Sequence, residues 1–372
     1  MSKLEELIQQ YCPDGVEYVK LGDIEGQGYI KLGRGNVISK QDMKDCPGDF
    51  PVYSSSSVGD GEIGRYGKYM FDDERISWSI DGGGKFFYRN NLRYSITNVS
   101  GWLKVLAPKV VSTKYLYYTL MNEWVKKVYD YTHKAHPSVI REEYIIPIPP
   151  LPVQEEIVRI LDAFAELQAE LQAELQKRLQ QYNYYRDKLL SFDGRTDVEW
   201  KKLGEISKVC RGVRVVKSQL SNEGYPVYQN CLTPMGYYDK TNCPAGTPFV
   251  ICGGAAGNVG YADVDWWAAD DCEYIIGNVG LTNRYIYHCL MAKKDYLLSQ
   301  VRKASIPRLS PSVIKDLEIP VPSLAEQQRI VDILDRFDSL TTDLTAGLPA
   351  EIEKRKLQYE YYRDKLLTFK RK

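Results

Sequence analysis

The residues of this chain that could bind a metal are few. The three histidines are His133, His136 and His288. His133 and His136 have the spacing of a metal-ligand pair, but no cluster of carboxylates or cysteines completes a ligand set. The eight cysteines contain no C-x-x-C pair, so the spacing of a zinc site is missing. The sequence therefore predicts no metal site, and the two neighbouring histidines are interpreted as hydrogen-bonding rings in a loop.

The sequence also lacks the motifs of cofactor-dependent enzymes. The glycine-rich segment 81–85 does not have the spacing of a phosphate-binding P-loop, and no G-x-G-x-x-G fingerprint occurs. No N-P-P-[FY] or D-P-P-[FY] run of the kind used by amino-methyltransferases is present. The single E-x-K segment, Glu199 to Lys201, has no upstream acidic partner at nuclease spacing and is interpreted as part of a strand. We expect no catalytic centre and no cofactor bound by this chain.

The overall charge limits the class of protein further. Lys+Arg and Asp+Glu are both 49, so the formal net charge is zero, which argues against a nonspecific nucleic-acid coat. Local basic patches could still contact phosphates. The first residues are acidic, unlike a signal peptide, and no run approaches the ~20 apolar residues of a membrane span. We therefore expect a cytoplasmic protein with reduced thiols that does not cross a membrane.

Six segments of the first half recur in the same order in the second half. The pairs are Val16–Tyr18 with Lys20–Ile24 and Val198–Trp200 with Lys202–Ile206; Pro51–Tyr53 and Pro226–Tyr228; Tyr115–Tyr117 with Leu120-Met121 and Tyr285–Tyr287 with Leu290-Met291; Pro137–Ile140 and Pro311–Ile314; Pro147–Pro149 and Pro320–Pro322; Tyr184–Leu190 and Tyr361–Leu367. The period is about half the chain, which indicates a duplicated domain pair instead of a solenoid.

Each half contains a glycine-rich part with short β-like runs, followed by a long amphipathic helix. The predicted fold is α+β, with two similar globular domains of short-stranded β-sheets separated by two long helices packed as an antiparallel coiled coil. The expected limits are residues 1–152 and 193–324 for the globular domains, and 153–192 and 325–372 for the helices. A long helix cannot bury an apolar stripe alone, so the two helices pair. The alternative is that each helix packs on its own globular domain.

The first helix contains three identical tetrads, residues 165–168, 169–172 and 173–176, each reading Ala-Glu-Leu-Gln. Each tetrad adds one leucine to the apolar stripe. One hypothesis is that the tetrads set a distance, since a unit can be gained or lost without exposing the stripe. The alternative is that they are only good helix-forming sequence.

Several segments resemble the specificity (S) subunit of Type I restriction–modification systems, and the resemblance covers essentially the whole chain. It rests on Tyr11–Tyr18, on the Ile-Pro-Val-Pro-Ser-Leu-Ala-Glu-Gln-Gln segment Ile319–Gln328, and on the ending that runs from Leu348–Glu353 through Tyr361–Leu367. The order of target-recognition domain, helix, target-recognition domain, helix is the architecture of that family. The resemblance implies that each globular domain reads one half of a bipartite DNA site.

The resemblance also implies partners and cofactors. Two methyltransferase (M) subunits would bind the chain and use S-adenosylmethionine to methylate adenine after flipping it. Restriction (R) subunits, where they exist, would add ATP- and Mg-dependent translocation and cleavage. The expected partners are therefore double-stranded DNA, two M subunits and, where they exist, R subunits.

Loop position selects the candidate contact residues. DNA contacts are expected from polar or basic residues in or beside glycine-rich or proline-bounded loops: Ser54, Ser55, Ser56, Lys85, Arg89, Lys134, His136, Asn258, Arg284, Lys303 and Arg308. For the serine run, a flexible turn and a phosphate-contacting segment are equally good interpretations. For the clusters at Gly82–Gly84 and Gly253-Gly254, two interpretations are open: a tight turn, or close approach of the backbone to a phosphate. Partner docking is expected at Gln154, Gln327, Tyr184 and Tyr361.

Two other functions remain open from the sequence. One is a coiled-coil scaffold that binds proteins and has no DNA specificity. The other is a self-contained DNA-modifying enzyme, which the missing cofactor motifs disfavour.

Overall fold

The computed structural model describes residues 2–55, 59–342 and 346–372. The chain divides into two units. Unit 1 comprises residues 1–170 and 353–372, and unit 2 comprises residues 171–352. Each unit therefore contains one globular domain together with parts of the long helices, whereas the sequence-based limits set the helices apart as separate segments.

The elements of the first half are short except for its last helix. The strands are β1 (Tyr18–Lys20), β2 (Ile30–Arg34), β3 (Phe50–Tyr53), β4 (Glu62–Tyr66), β5 (Arg75–Ser79), β6 (Phe86–Arg89), β7 (Ser95–Ile96), β8 (Ser100–Val105) and β9 (Ile145–Pro147). The helices are α1 (Lys3–Tyr11), α2 (Leu21–Gly26), α3 (Lys40–Asp45), α4 (Thr113–Trp124), α5 (Pro137–Glu143) and α6 (Leu151–Ser191).

The second half repeats the pattern. Its strands are β10 (Glu199–Lys202), β11 (Ser207–Arg211), β12 (Tyr225–Tyr228), β13 (Tyr237–Tyr238), β14 (Thr247–Ile251), β15 (Val259–Ala262), β16 (Trp267–Ala268), β17 (Cys272–Gly277) and β18 (Glu318–Val321). Its helices are α7 (Leu203–Ile206), α8 (Asn283–Ala292), α9 (Lys294–Ser299), α10 (Pro311–Lys315), α11 (Leu324–Thr342) and α12 (Leu348–Leu366), with a 3₁₀ turn at Lys217–Gln219.

The two globular domains have the same strand order. A four-stranded sheet runs β2-β8-β5-β6 in unit 1 and β11-β17-β14-β15 in unit 2. A three-stranded sheet runs β4-β3-β7 and β13-β12-β16, with the pairs β3–β7 and β12–β16 parallel. A two-stranded sheet joins β1 to β9 and β10 to β18. The predicted fold class is confirmed, and the sequence repeat corresponds to a duplicated domain.

The helices bury their apolar stripe in two ways at once. In unit 1, Phe164 of α6 stacks on Tyr362 of α12 with ring centroids 5.6 Å apart. In unit 2, Tyr185 of α6 stacks on Phe337 of α11, also at 5.6 Å. On the side facing the globular domain of unit 1, α6 buries Ile157 and Leu161 completely. Helix pairing and packing on the globular domain, the two alternatives left open by the sequence, therefore occur together.

The predicted second helix is not one continuous segment in the described residues. Helix α11 ends at Thr342 and α12 begins at Leu348, while residues 343–345 lie outside the described ranges. Pro349 lies in the first turn of α12, where a missing backbone N–H costs nothing. After α12 the chain completes unit 1, because the N–H of Val16 donates to the carbonyl of Lys370 at 2.8 Å. The last residues thus belong to the first globular domain.

One buried glutamine joins each long helix to its globular domain by hydrogen bonds. The Oε1 of Gln154 accepts the N–H of Ser112 at 2.9 Å, just before α4 begins, and its Nε2 donates to the carbonyls of Val110 and Pro149. Gln327 does the same with the N–H of Thr282, just before α8, at 3.0 Å. Its Nε2 donates to two more backbone carbonyls. Each glutamine therefore forms hydrogen bonds with backbone N–H and carbonyl groups that have no partner within the helices and loops themselves.

This placement corrects the docking prediction for both residues. Gln154 and Gln327 have no exposed surface. A partner protein cannot reach them, and their part is structural.

We expect the substitution Gln327→Ala to destabilise unit 2. It leaves one backbone N–H and two carbonyls without their partner, at a cost of about 1–3 kcal/mol for a buried group left unsatisfied. Chemical denaturation followed by circular dichroism measures the change in the free energy of unfolding. The matched control is Gln328→Ala, since Gln328 is exposed and bonds to Asp332 of the same helix. Equal stability of the two variants would contradict the assigned part of Gln327.

Candidate functional site

Three loops meet at the same place in each globular domain. The first follows β3 or β12, the second is the glycine-rich turn after β5 or β14, and the third is the segment before α5 or α10. In unit 1, the N–H of Ala135 in the third loop donates to the carbonyl of Ile80 at the start of the second, at 3.2 Å. In unit 2, the N–H of Leu309 donates to the carbonyl of Cys252 at 2.9 Å. The loop cluster is therefore part of the duplicated unit.

One basic residue occupies the equivalent position in both clusters. Lys134 precedes Ala135 and forms an ion pair with Asp81 Oδ1 at 3.1 Å. Arg308 precedes Leu309 and forms an ion pair with Asp271. The Lys134 side chain is one-third exposed and that of Arg308 about half exposed, at 32% and 52%. Both cations are accessible, and each is oriented by a carboxylate of its own domain.

Close packing explains the glycines of these turns. A Cβ atom at Gly82 would overlap the carbonyl oxygen of Ser55 in the first loop. Gly254 has a φ of +82° and packs against Asn230, which occupies the matching position in unit 2. Only glycine fits such positions, since other residues avoid positive φ and carry the Cβ. Tight-turn geometry therefore accounts for both glycine clusters, and it brings the first and second loops into contact.

The third loop carries exposed side chains in both clusters. In unit 2 its ends pair, with the N–H of Arg302 donating to the carbonyl of Arg308 at 2.8 Å, and Lys303 lies exposed between them. In unit 1 the loop exposes 90% of Tyr131. His133 stacks on Tyr129 and contacts Glu143 Oε1 at 2.9 Å. The loops thus present basic and aromatic side chains outward.

Other predicted residues lie around the clusters with varied exposure. Ser54 Oγ bonds to Thr97 Oγ1 at 2.8 Å, and Ser55 is half-buried beside it, whereas Ser56 lies outside the described residues. Lys85 is half-buried, with its ammonium 5.3 Å from the centre of the Phe87 ring. His136 is half-buried at the start of α5, and the Asn258 side chain donates to the carbonyl of Ala255 at 3.0 Å.

Arg89 is not available for contact with a ligand. It is only 5% exposed, and its guanidinium stacks on Tyr53 at 3.5 Å and donates to Ser77 Oγ at 3.2 Å. Burial lowers the pKa of this guanidinium, and the carbonyl of Asp60 accepts a further hydrogen bond from it. The predicted DNA contact at Arg89 is wrong, because the side chain holds β6 against the rest of its own domain.

Arg284 also has a structural part. Its guanidinium lies over the rings of both Tyr261 and Tyr287, and it forms ion pairs with Asp335 at 2.7 Å and Asp338 at 2.9 Å. It thereby links α8 to α11 and does not belong to the loop cluster. The DNA contact predicted at Arg284 is left without the loop position on which the prediction rested. A cation just after a loop is expected to face outward, but its carboxylate partners on α11 are remote in sequence and turn it inward.

The Arg284 cluster is one of two matching polar clusters that the sequence did not reveal. His288 Nε2 contacts Asp335 Oδ1 at 2.6 Å. Burial on its own raises the pKa of Asp335, but hydrogen bonds with His288 and Arg284 outweigh it and leave that pKa below its usual range. In unit 1 the corresponding carboxylate is Asp162, which bonds to Lys114 at 2.7 Å and to the Tyr118 hydroxyl at 2.5 Å. The 173-residue offset between the two aspartates could have found this pair.

The two tyrosines predicted to dock partners face outward. Tyr184 is 59% exposed and Tyr361 is 62% exposed. Their neighbours Tyr185 and Tyr362 make the stacking contacts between helices. Each Tyr-Tyr pair thus has one packed ring and one open ring.

Within residues 2–55, 59–342 and 346–372, no group of three or more His, Cys, Asp or Glu side chains is placed to hold a metal ion. Lys201 of the E-x-K segment pairs with Glu199 of the same strand, β10, at 2.7 Å. None of the helices in these ranges combines the length and the apolar character needed to cross a membrane.

Comparisons with known proteins agree on one family. The family model described as "Type I restriction modification DNA specificity domain" matches residues 13–181 and again residues 196–354. The EcoR124I/EcoR124II specificity subunit of Escherichia coli is 36% identical over 291 residues, which cover 69% of this chain and 70% of that protein. A type I specificity subunit of Mycoplasma pneumoniae is 30% identical over 352 residues, or 91% of this chain and 95% of that protein.

Solved structures show the same fold at low identity. The S subunit of a Type-I restriction-modification system from M. genitalium matches with a TM-score of 0.67 and 18% identity, covering 95% of this chain and 96% of that one. The two family matches coincide with the two halves of the repeat, and together they span most of the sequence. The chain therefore belongs to the family of Type I restriction–modification specificity subunits.

Proposed function

We propose that this chain is the DNA-reading subunit of a Type I restriction–modification complex. Each globular domain would read one half of a bipartite site in double-stranded DNA. The observation that carries the proposal is the repeated loop cluster, in which Lys134 and Arg308 occupy equivalent, accessible positions. Two related but non-identical readers suit two short sequences that differ from each other. Specificity subunits of this family are in general non-catalytic, so the chain would contribute recognition and leave the chemistry to its partners.

The partners follow from the family and from the duplication. Two methyltransferase subunits would dock on the helical segments, because a duplicated surface suits two copies of one protein. The exposed rings of Tyr184 and Tyr361 are the docking candidates that remain after Gln154 and Gln327 proved buried. S-adenosylmethionine would be bound by the methyltransferase subunits, and ATP and Mg²⁺ would be used where restriction subunits join. The complex would act on DNA in the cytoplasm.

Lys134, Arg308 and Lys303 are the strongest candidates for DNA contact. They lie on the exposed third loop, and a basic loop can neutralise phosphates while neighbouring side chains read base edges. The secondary candidates lie behind or beside this loop; they are Ser54, Ser55, Lys85, His136 and Asn258.

Exchanging one globular domain tests the proposed function directly. Residues 197–322 are replaced by the corresponding domain of another specificity subunit, and the gene is expressed with its methyltransferase partner. We expect one half of the methylated sequence to change and the other to stay, because each loop cluster is built within one unit. Single-molecule methylation mapping gives both half-sites. A change in both half-sites, or absence of sequence-specific methylation with the unaltered chain, would contradict the proposal.

We expect Lys134→Ala and Arg308→Ala each to weaken DNA binding by the complex on all sequences. Loss of one phosphate contact should reduce the slope of log K against log salt concentration by about one unit. Titrations at several salt concentrations measure that slope. Lys356→Ala is the control, since it removes the same charge from α12, where Lys356 pairs with Glu353 at 3.7 Å. An unchanged slope in both loop variants would remove these residues from the interface.

The tetrads of α6 give a further prediction. All three lie within the continuous helix Leu151–Ser191. One more tetrad lengthens a helix by ~6 Å and turns it ~40° beyond a full turn. A base pair advances ~3.4 Å and ~34–36°. We expect a fourth tetrad to lengthen the nonspecific spacer by about one base pair and to leave both half-sites unchanged. Methylation mapping decides this, and an unchanged spacer with full activity would show that the tetrads are only helix-forming sequence.

A further inference from the structure

The third loop of each globular domain carries an exposed apolar side chain shortly before its basic residue. In unit 1 this residue is Tyr131, which is 90% exposed and lies three positions before Lys134. In unit 2 it is Ile306, which is 54% exposed and lies two positions before Arg308. Single apolar residues are common on protein surfaces, but these two recur at the same place in loops of different sequence. Tyr131 and Ile306 are therefore the apolar tips of equivalent loops.

The tip of the unit 1 loop is a closed turn with Tyr131 at its apex. The N–H of Asp130 donates to the carbonyl of His133 at 3.1 Å. The Asp130 carboxylate accepts the N–H groups of Thr132 and His133 at 2.7 and 2.8 Å, and the Thr132 hydroxyl at 2.7 Å. Hydrogen bonds with Thr132 and His133 lower the pKa of Asp130, so the carboxylate is charged at neutral pH. The turn thus fixes the backbone of Tyr131 without covering its side chain.

This turn packs on the glycine-rich second loop. The Tyr129 ring stacks on His133 with ring centroids 5.4 Å apart, and a Cβ atom at Gly84 would overlap the Tyr129 ring. The Tyr129 hydroxyl donates to the Tyr144 hydroxyl at 3.3 Å. Tyr129 therefore packs within its own domain, whereas Tyr131, two residues later, presents its ring to solvent.

The tip of the unit 2 loop is closed by different contacts. The N–H groups of Arg302 and Arg308 donate to each other's carbonyls at 2.8 and 3.2 Å. The N–H of Gly254 in the second loop donates to the carbonyl of Pro307 at 3.2 Å. The backbone next to Ile306 is therefore held by hydrogen bonds. Both loops thus present an exposed apolar side chain on a fixed backbone, although they use unrelated residues to do so.

A DNA duplex offers one apolar group to such side chains in its major groove. The 5-methyl group of thymine lies there beside the hydrogen-bonding edges of the bases, and it distinguishes T·A pairs. Stacking on the face of a base would suit the ring of Tyr131, but Ile306 has no flat face. Contact with a methyl group suits both residues. The cation that follows each tip can contact a phosphate beside the groove.

We propose that Tyr131 and Ile306 are specificity-determining residues that contact thymine methyl groups, one in each half of the DNA site. The inference rests on the proposed DNA-reading function and adds the type of base that each third loop favours. Lys134 and Arg308 then contribute affinity for any sequence, whereas the apolar tips select a T·A pair. A partner protein is a poorer ligand, because a stable protein interface needs about 800 Å² on each side and a single tip residue offers far less.

The test uses the complex of the full chain with its methyltransferase partner and the two half-sites found by methylation mapping. Each thymine in turn is replaced by deoxyuridine, which lacks only the 5-methyl group. We expect the unaltered complex to bind about fourfold more weakly when the contacted methyl group is missing, as the loss of one buried methyl group predicts. One such position is expected in each half-site.

Variants of the tips assign each position to one unit. Tyr131→Ala should bind thymine and deoxyuridine equally in the half-site of unit 1 and leave the difference in the other half-site unchanged, and Ile306→Ala should do the reverse. Tyr131→Phe should keep the difference, because the ring is retained. Val279→Ala is the control, since Val279 is fully exposed but follows the end of β17 that is remote from Asp271. These variants remove no charge, so the salt dependence of binding should stay the same.

Two results would overturn the inference and leave the proposed function intact. One is sequence-specific methylation with no effect of deoxyuridine at any position, and the other is an effect that Tyr131→Ala and Ile306→Ala do not change. Loss of the methyltransferase partner from either variant during purification would assign that tip to a protein interface and also overturn the inference. Absence of sequence-specific methylation with the unaltered chain would instead contradict the proposed function, and the inference with it.

Discussion

The apolar stripe along α6 must be covered by other segments, and this requirement shapes the rest of the structure. A helix of 41 residues with one apolar face cannot stay folded in water unless something packs on that face. The first part of α6 is covered by α4 and the end of α12, and its last part by α11. Because those covering helices come from different halves of the chain, the stripe forces distant segments into one unit. The return of residues 353–372 to the first globular domain follows from this.

Polar groups then orient the globular domains on the helices. Burial of apolar surface has no direction, so it cannot by itself fix how a domain sits on a helix. The buried amides of Gln154 and Gln327 can fix this orientation, because each accepts a hydrogen bond from one N–H and donates to two carbonyls. The carboxylates of Asp162 and Asp335 add a second fixed point with Lys114 and Arg284. Such groups are costly when unpaired, which gives the arrangement its specificity.

Close packing and hydrogen bonds also fix the base of each loop cluster. Glycines let the first and second loops touch, and the third loop is fixed at its base by backbone hydrogen bonds while its cations remain in solvent. Residues at the base are constrained, whereas residues at the tip can change without disturbing the fold. A scaffold of this kind can be duplicated and then diverge in what it reads.

The duplication, the α+β class and the amphipathic helices could be predicted from the sequence, because these depend on order, period and local composition. The family could be predicted only from the resemblance of several segments to known sequences. The glycine-rich turns and the basic loops that carry Lys134 and Arg308 could be placed in the same way. The sequence did not allow us to predict which polar side chains face inward. From the sequence alone, four polar residues are expected at the surface: Gln154, Gln327, Arg89 and Arg284. In the structure each is buried or half-buried against partners that lie between 5 and 54 residues away in the sequence. Their placement depends on the folded chain, because the cost of burying a polar group depends on whether a distant segment supplies its hydrogen bonds. The same holds for the end of the chain, whose place in the first domain depends on contacts with distant residues such as Val16 and Phe164 and on no local signal.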